Sequence, residues 1–531
     1  MDAANQNLRS NKDLTLLQQG YETMQGFQLF EHASTVPTRS YNTKEWQRGY
    51  RSLEQEYSYW IDDIDGEIPP ELTGTLFRNG PGLFEVNGER FQHPFDGDGM
   101  ISAIGFHKGR AHFRNRFVRT EGYLAEQAAG KILYRGVFGT QKSGGWLANA
   151  FDIRIKNIAN TQVIYWGGKL LALWEAAEPH RLDPKTLETL GQEYFEGVLD
   201  KGSPFAAHPW IDPSSKFDDG KPCLVNFSIK AGLSFTIAIY ELDLEGKIIR
   251  HHDYPVPGFA FIHDFAITPN YCILFQNPVK FNPLPFLMGQ RSAGECIKFQ
   301  PDRPTKILII PRDPALKAKP QILETPSGFV FHHANAFEQE GGIVIDSVCY
   351  DNLPEVEPGA DYRETEFDAL APGQLWRFRM NLATGKVDRE MLESRCCEFP
   401  FVHPAKAGRQ HRYIYMAAAH AETGNAPHQA MLKVDVETGA RQLCSFAPNG
   451  YVSEPVFVPR GQASDAGLYT ELQGEEDDGW LIATVFNTER DRSDVVIVDA
   501  KEMRIVARLH LTHHVPYGLH GSFTPEYFEE D

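Results

Sequence analysis

The chain is short of positive charge, with 52 lysines and arginines against 71 aspartates and glutamates among 531 residues and a formal net charge of −19. Nucleic-acid phosphates would be repelled by such a surface, which excludes a nucleic-acid partner. An anionic membrane would be reached only through apolar insertion. Cysteine is scarce as well. The seven, at positions 223, 272, 296, 349, 396, 397 and 444, are odd in number and form no CxxC pair. That argues against a disulfide framework or a thiolate metal cluster and leaves reduced core thiols. No run of eighteen apolar residues occurs, and the start, Met1 to Asn7, has neither a basic nor an apolar leader segment. These absences predict a soluble, cytoplasmic chain.

What is present is apolar and aromatic: 42% hydrophobic and 12% aromatic residues, enough for a large core. Residues 1–50 read as a polar, Gln/Asn-rich arm with weak helical periodicity through Leu14–Leu17 and Phe27–Phe30. Residues 51–531 read as a single β-rich domain of short apolar runs broken by Gly, Asn and Asp. Within it a loose repeat recurs, in which alternating apolar residues end in an Asp or Asn turn: His180–Asp183, Tyr240–Asp243, Trp376–Asn381, Leu432–Asp435 and Val496–Asp499. Such units predict the outer hairpins of β-propeller blades. One inserted helix is expected over Thr120–Tyr134, with Leu124, Ala128, Ile132 and Leu133 on one face, capping one end.

Four histidine contexts are mostly apolar: Phe205-Ala206-Ala207-His208-Pro209, Phe261-Ile262-His263-Asp264-Phe265, the Phe331-His332-His333 pair, and Tyr517-Gly518-Leu519-His520-Gly521. A buried imidazole needs a partner, and four together suggest a metal. Their spacings, 55, 69 and 188 residues counting from the first of the pair, are too long for a zinc finger or a helical i, i+4 pair. Only a fold that converges distant strands on an axis assembles them. Imidazole suits iron, zinc, copper or nickel, and iron is favoured where an octahedral site keeps two positions open. Ligand histidines donate their second N–H to a carboxylate or carbonyl. Glu175, Glu398 and Glu454, each in an apolar strand-like setting, are candidates for that role.

These histidine contexts, with Arg78-Asn79-Gly80-Pro81, Phe95-Asp96-Gly97-Asp98-Gly99-Met100 and Glu454-Pro455-Val456-Phe457-Val458-Pro459-Arg460, resemble the carotenoid cleavage oxygenase family over roughly residues 55–523. The resemblance implies a seven-bladed β-propeller with a helical cap over the metal-containing end. It implies Fe(2+) held by His208, His263, His332 and His520, with His332 chosen from the pair because the family keeps the histidine directly after Phe. Glu175, Glu398 and Glu454 match the carboxylates that orient those ligands. The implied activity is O₂-dependent cleavage of a conjugated double bond of a carotenoid or apocarotenoid to retinal-type aldehydes. A stilbene-cleaving relative is the alternative, but there a Lys is expected where this chain has Trp174. A propeller that binds a carotenoid without chemistry would have no need of four histidines. Asp96 and Asp98 lack a calcium-loop pattern and read as turn formers. The stretch Pro278–Met288 reads as an apolar loop, its prolines barring a regular helix, and predicts peripheral membrane contact through Phe281, Leu284, Phe286 and Leu287.

Overall fold

The repeated Asp/Asn turn sets the architecture. In the computed structural model, which describes residues 39–230, 235–313, 315, 319–464 and 467–528, Asp183, Asp243, Asn381, Asp435 and Asp499 each stand at the tip of an antiparallel hairpin. Their side-chain oxygens accept backbone N–H groups two to four residues on. This is the local chemistry that makes Asp and Asn turn residues. Each hairpin joins the third and fourth strands of a sheet.

Seven such sheets form the blades of a propeller. From the axis outward, the first four blades start with the strands Gln162–Trp166, Trp210–Asp212, Phe265–Ile267 and Phe329–Gln339. The fifth starts with Cys397–Phe401, the sixth with Gly450–Val452 and Val456–Pro459, and the seventh with Gly521–Thr524. The seventh blade is composite, because that C-terminal strand pairs with the N-terminal strand Gly74–Leu83. The outer edge of the sixth blade is likewise supplied by Ile64–Gly66.

The core lies between the blades. Seven apolar clusters each join residues of two neighbouring blades, and together they close the ring. Strand alternation explains the continuous apolar runs: Val495 and Ile497 face the seventh blade while Val496 and Val498 face the fifth. The free cysteines are all buried, as expected of core thiols.

Of the expected arm, residues 1–38, with Leu14–Leu17 and Phe27–Phe30, lie outside the described residues. The compact unit that carries the propeller begins at Tyr41, and the short helix Thr43–Gln47 buries Trp46 against Tyr451 and Phe486. The inserted helix spans Glu121–Ala129, capped by the Thr120 hydroxyl, and stops at Gly130 in the left-handed region, φ 62°. It therefore ends before Ile132 and Leu133. Leu124 is exposed, and the buried face carries Glu126, which pairs with Lys156 at 2.6 Å. Asp96 is an anchor for the loop 137–140 as well as a turn residue, since its carboxylate accepts from the N–H groups of Val137, Phe138 and Thr140. Among the described residues no helix is long and apolar enough to cross a membrane.

Candidate metal centre

Innermost strands supply the histidines. His208, His263 and His520 stand just before the innermost strands of the second, third and seventh blades, and His332 lies inside that of the fourth. Their ligand atoms all lie within 4.8 Å of one another. The Nε2 atoms of His208 and His263 are 2.9 Å apart. A metal–imidazole bond of about 2.1 Å places adjacent nitrogens of an octahedron about 3.0 Å apart, so the spacing suits a shared ion. A second observation points the same way: Nε2 of His332 is buried without a hydrogen-bond partner. Such an orphaned acceptor is costly unless something occupies the space it faces.

The adjacent histidines of the fourth blade are separated by a bulge, where the register with the next strand shifts around His333. Bulges re-aim side chains. Here His333 turns into the blade, bonding the Ser347 hydroxyl at 2.7 Å, and its backbone N–H donates to Asp264 at 2.8 Å. His332 is left to face the other three.

Glutamates come from the three blades that give no histidine. Glu175 follows the second strand of the first blade, Glu398 lies in the innermost strand of the fifth, and Glu454 sits between the two inner strands of the sixth. Nδ1 of His263 meets Glu175 at 3.2 Å, that of His332 meets Glu398 at 2.6 Å, and that of His520 meets Glu454 at 2.9 Å. A carboxylate accepting from Nδ1–H fixes the tautomer that leaves the Nε2 lone pair free for a metal. Burial, then the neighbouring imidazoles, holds His208 well below its ordinary value. Burial likewise lowers His520 to about 4 despite Glu454. Burial pushes His332 down, but Glu398, with Asp264 and Glu454 behind it, moves it up overall. Glu398 falls to about 2: burial opposes this, but His332 and hydrogen bonds from Phe399 N–H and the Tyr350 hydroxyl prevail.

Three residues with no role assigned from sequence hold the carboxylates in turn. Arg78 Nη1 donates to Glu454 at 2.6 Å, the Tyr350 hydroxyl to Glu398 at 2.9 Å, and the Thr161 hydroxyl to Glu175 at 3.3 Å. Arg78 had a visible signal, a lone charge after the apolar Leu76-Phe77. Tyr350 and Thr161 carried none. Phe331 borders the site, its ring 5.8 Å from that of His263, and Trp174 is buried directly before Glu175 in the chain. Trp146 is exposed, and Phe337 packs away from the site against His411.

The geometry has counterparts among known proteins. The profile of the family described as retinal pigment epithelial membrane protein matches residues 50–525. Apocarotenoid-15,15'-oxygenase of Synechocystis sp. is 53% identical, covering 92% of this chain and 98% of that protein. Resveratrol cleavage oxygenase 1 of Botryotinia fuckeliana is 27% identical, covering 86% and 81%. The crystal structure of the cobalt-substituted Synechocystis oxygenase superposes with a TM-score of 0.87, covering 91% of this chain and 99% of that one at 53% identity.

Proposed function

The chain belongs to the retinal pigment epithelial membrane protein family, the carotenoid oxygenases, and from that premise we propose that it is an iron(II) dioxygenase of apocarotenoids or carotenoids. His208, His263, His332 and His520 would hold the ion, with Glu175, Glu398 and Glu454 orienting three of them. The observation that carries this reading is the convergence of four imidazoles with an unpartnered Nε2 at the axis. Bound iron would supply dioxygen activation beside a conjugated double bond, whose two carbons leave as two carbonyl products. The protein's own share is positioning and dryness. Phe331 offers an apolar aromatic face to a polyene, and Trp174, standing where a stilbene-cleaving relative is expected to carry Lys, disfavours a phenolic stilbene despite the resveratrol-cleaving relative. Incubation of the iron-loaded enzyme with carotenoids, apocarotenals and resveratrol under ¹⁸O₂ tests this. Labelled aldehydes from a polyene are expected; cleavage of resveratrol alone would overturn the substrate class.

The substrate's insolubility calls for a membrane contact, and the supporting surface differs from the expected loop. Pro283 and Pro285 do not bar a helix. They lie in the first turn of Pro283–Leu287, where a proline's missing N–H costs nothing, capped by Asn282. Phe286 is buried beneath the Arg135 guanidinium, 4.1 Å from its ring, and Phe281 stacks on Phe259. Leu284 and Leu287 remain outside, and a second segment joins them, because Phe151 N–H donates to Leu287 O at 2.7 Å. That segment exposes Trp146, Leu147, Phe151 and Ile153, at 53%, 72%, 75% and 65% of their surfaces. An apolar patch of this size on one face fits a lipid surface. Each side chain fully buried in lipid contributes roughly 1.5–3 kcal/mol, enough together for reversible attachment despite the charge of −19.

A further inference from the structure

A cavity of about 220 Å³ lies along the propeller axis and touches His208, His332 and His520 at one end. The innermost strands form its wall, each running away from the histidine level. Accordingly the lining passes from His208 to Pro213, from Glu454 to Phe457, and from His520 to Pro525. Ile211, Phe401 and Phe523 keep partial exposure although they sit on innermost strands, which is exposure to this space. At the far end Leu468 packs against the cluster between the first and second blades, and Tyr469 against that between the sixth and seventh. Their segment therefore spans the inner ends of the first and seventh blades along the cavity.

The polar groups on the wall are largely occupied by one another. Asp264 accepts from the N–H groups of Phe265 and His333, and Glu454 from His520, Arg78 and Gly521. Ser522 donates to Val163 O. What remains to a guest is mainly hydrocarbon and aromatic surface, and cavities of that kind take up small apolar molecules such as xenon. Phe331 and Tyr350, the aromatic groups beside the His332–Glu398 pair, are absent from this lining. The cavity thus approaches His208, His332 and His520 from a side that a polyene on Phe331 leaves open.

We propose that this axial cavity is the dioxygen path and store of the enzyme, delivering the small apolar co-substrate along the propeller axis while the polyene covers the opposite approach. The inference rests on the dioxygenase reading above. Two fillings, Ile211→Phe and Leu468→Phe, narrow the channel at different depths without touching a histidine or a glutamate. Each should raise KM for oxygen by about fivefold or more, with kcat at saturating oxygen, KM for the polyene and bound iron unchanged. An unchanged oxygen KM in a variant that retains its iron overturns the proposal. Crystals of the wild-type holoenzyme under xenon pressure decide independently of either variant. Xenon in the channel beside the histidines is expected, and a channel holding only ordered water refutes it. Failure of the wild type to consume oxygen with any polyene, while xenon still seats, would strike the reading of the reaction and not the cavity.

Discussion

Replacing Arg78 by methionine isolates the charge that holds the most enclosed of the three carboxylates. Arg78 and Glu454 side chains are only 5% and 7% exposed and meet at 2.6 Å. The guanidinium also reaches the Glu454 and Leu519 carbonyls at 3.3 and 3.2 Å. Burial raises the carboxyl, but His520, Arg78 and the Gly521 N–H hold Glu454 below its ordinary value. His520, lowered to about 4, is uncharged at neutral pH, so Arg78 is the standing cation of that trio. Methionine matches the length of the stem and leaves Glu454 facing only His520 and Gly521 N–H. Removing one partner of a buried pair costs about 3–5 kcal/mol. Disturbing a carboxylate that orients a ligand histidine weakens metal binding by about 10- to 100-fold. Urea denaturation of metal-free protein reads the first quantity, and iron dissociation reads the second. Tyr350→Phe, which removes a neutral donor from Glu398, is the comparison and should cost about 1.5–3 kcal/mol. If Arg78→Met unfolds at the wild-type urea concentration and keeps its iron as tightly, or if Tyr350→Phe costs as much, charge at Glu454 is not what secures His520.

His263→Ala should lose iron and turnover together, measured as metal content after gel filtration and product formation; full wild-type activity with zinc and no iron would rule out iron. In liposome flotation, wild type should float and the triple variant Trp146→Ser, Leu147→Ser, Leu284→Ser should stay in the dense fraction, whereas equal flotation of both would place the contact elsewhere. His180 and His403 are lowered to about 4, chiefly by burial. The unfolded chain therefore binds more protons between pH 6.5 and 4, and stability falls as pH falls through that window. Each contributes up to about 3 kcal/mol to that loss, and His180→Gln should flatten the profile measured by thermal unfolding; a slope unchanged from wild type would show that His180 is protonated in the fold.

The sequence by itself determined the parts that depend on neighbours along the chain. Asp and Asn bond their own backbone a few residues on, so the tips at Asp183, Asp243, Asn381, Asp435 and Asp499 were legible. So were the four histidine contexts, because an imidazole in an apolar setting announces its need of a partner. Tertiary structure alone decided which side chains share a point in space. The bulge at His333 sends one of two adjacent histidines to the axis and the other into the blade. The pairing of Glu175, Glu398 and Glu454 with particular histidines follows from blades lying side by side around a ring. Arg78 reaches Glu454 across 376 residues of chain because the seventh blade is built from both ends of the domain. The exposed apolar residues of segment 146–153 lie beside segment 284–287; only the second segment was legible in the sequence, and its neighbour was brought to it by the fold. Strand periodicity records which face of a sheet a residue occupies and carries no information on where that sheet stands around the axis. The four-histidine cluster, the patch and the axial cavity are all set by that second coordinate.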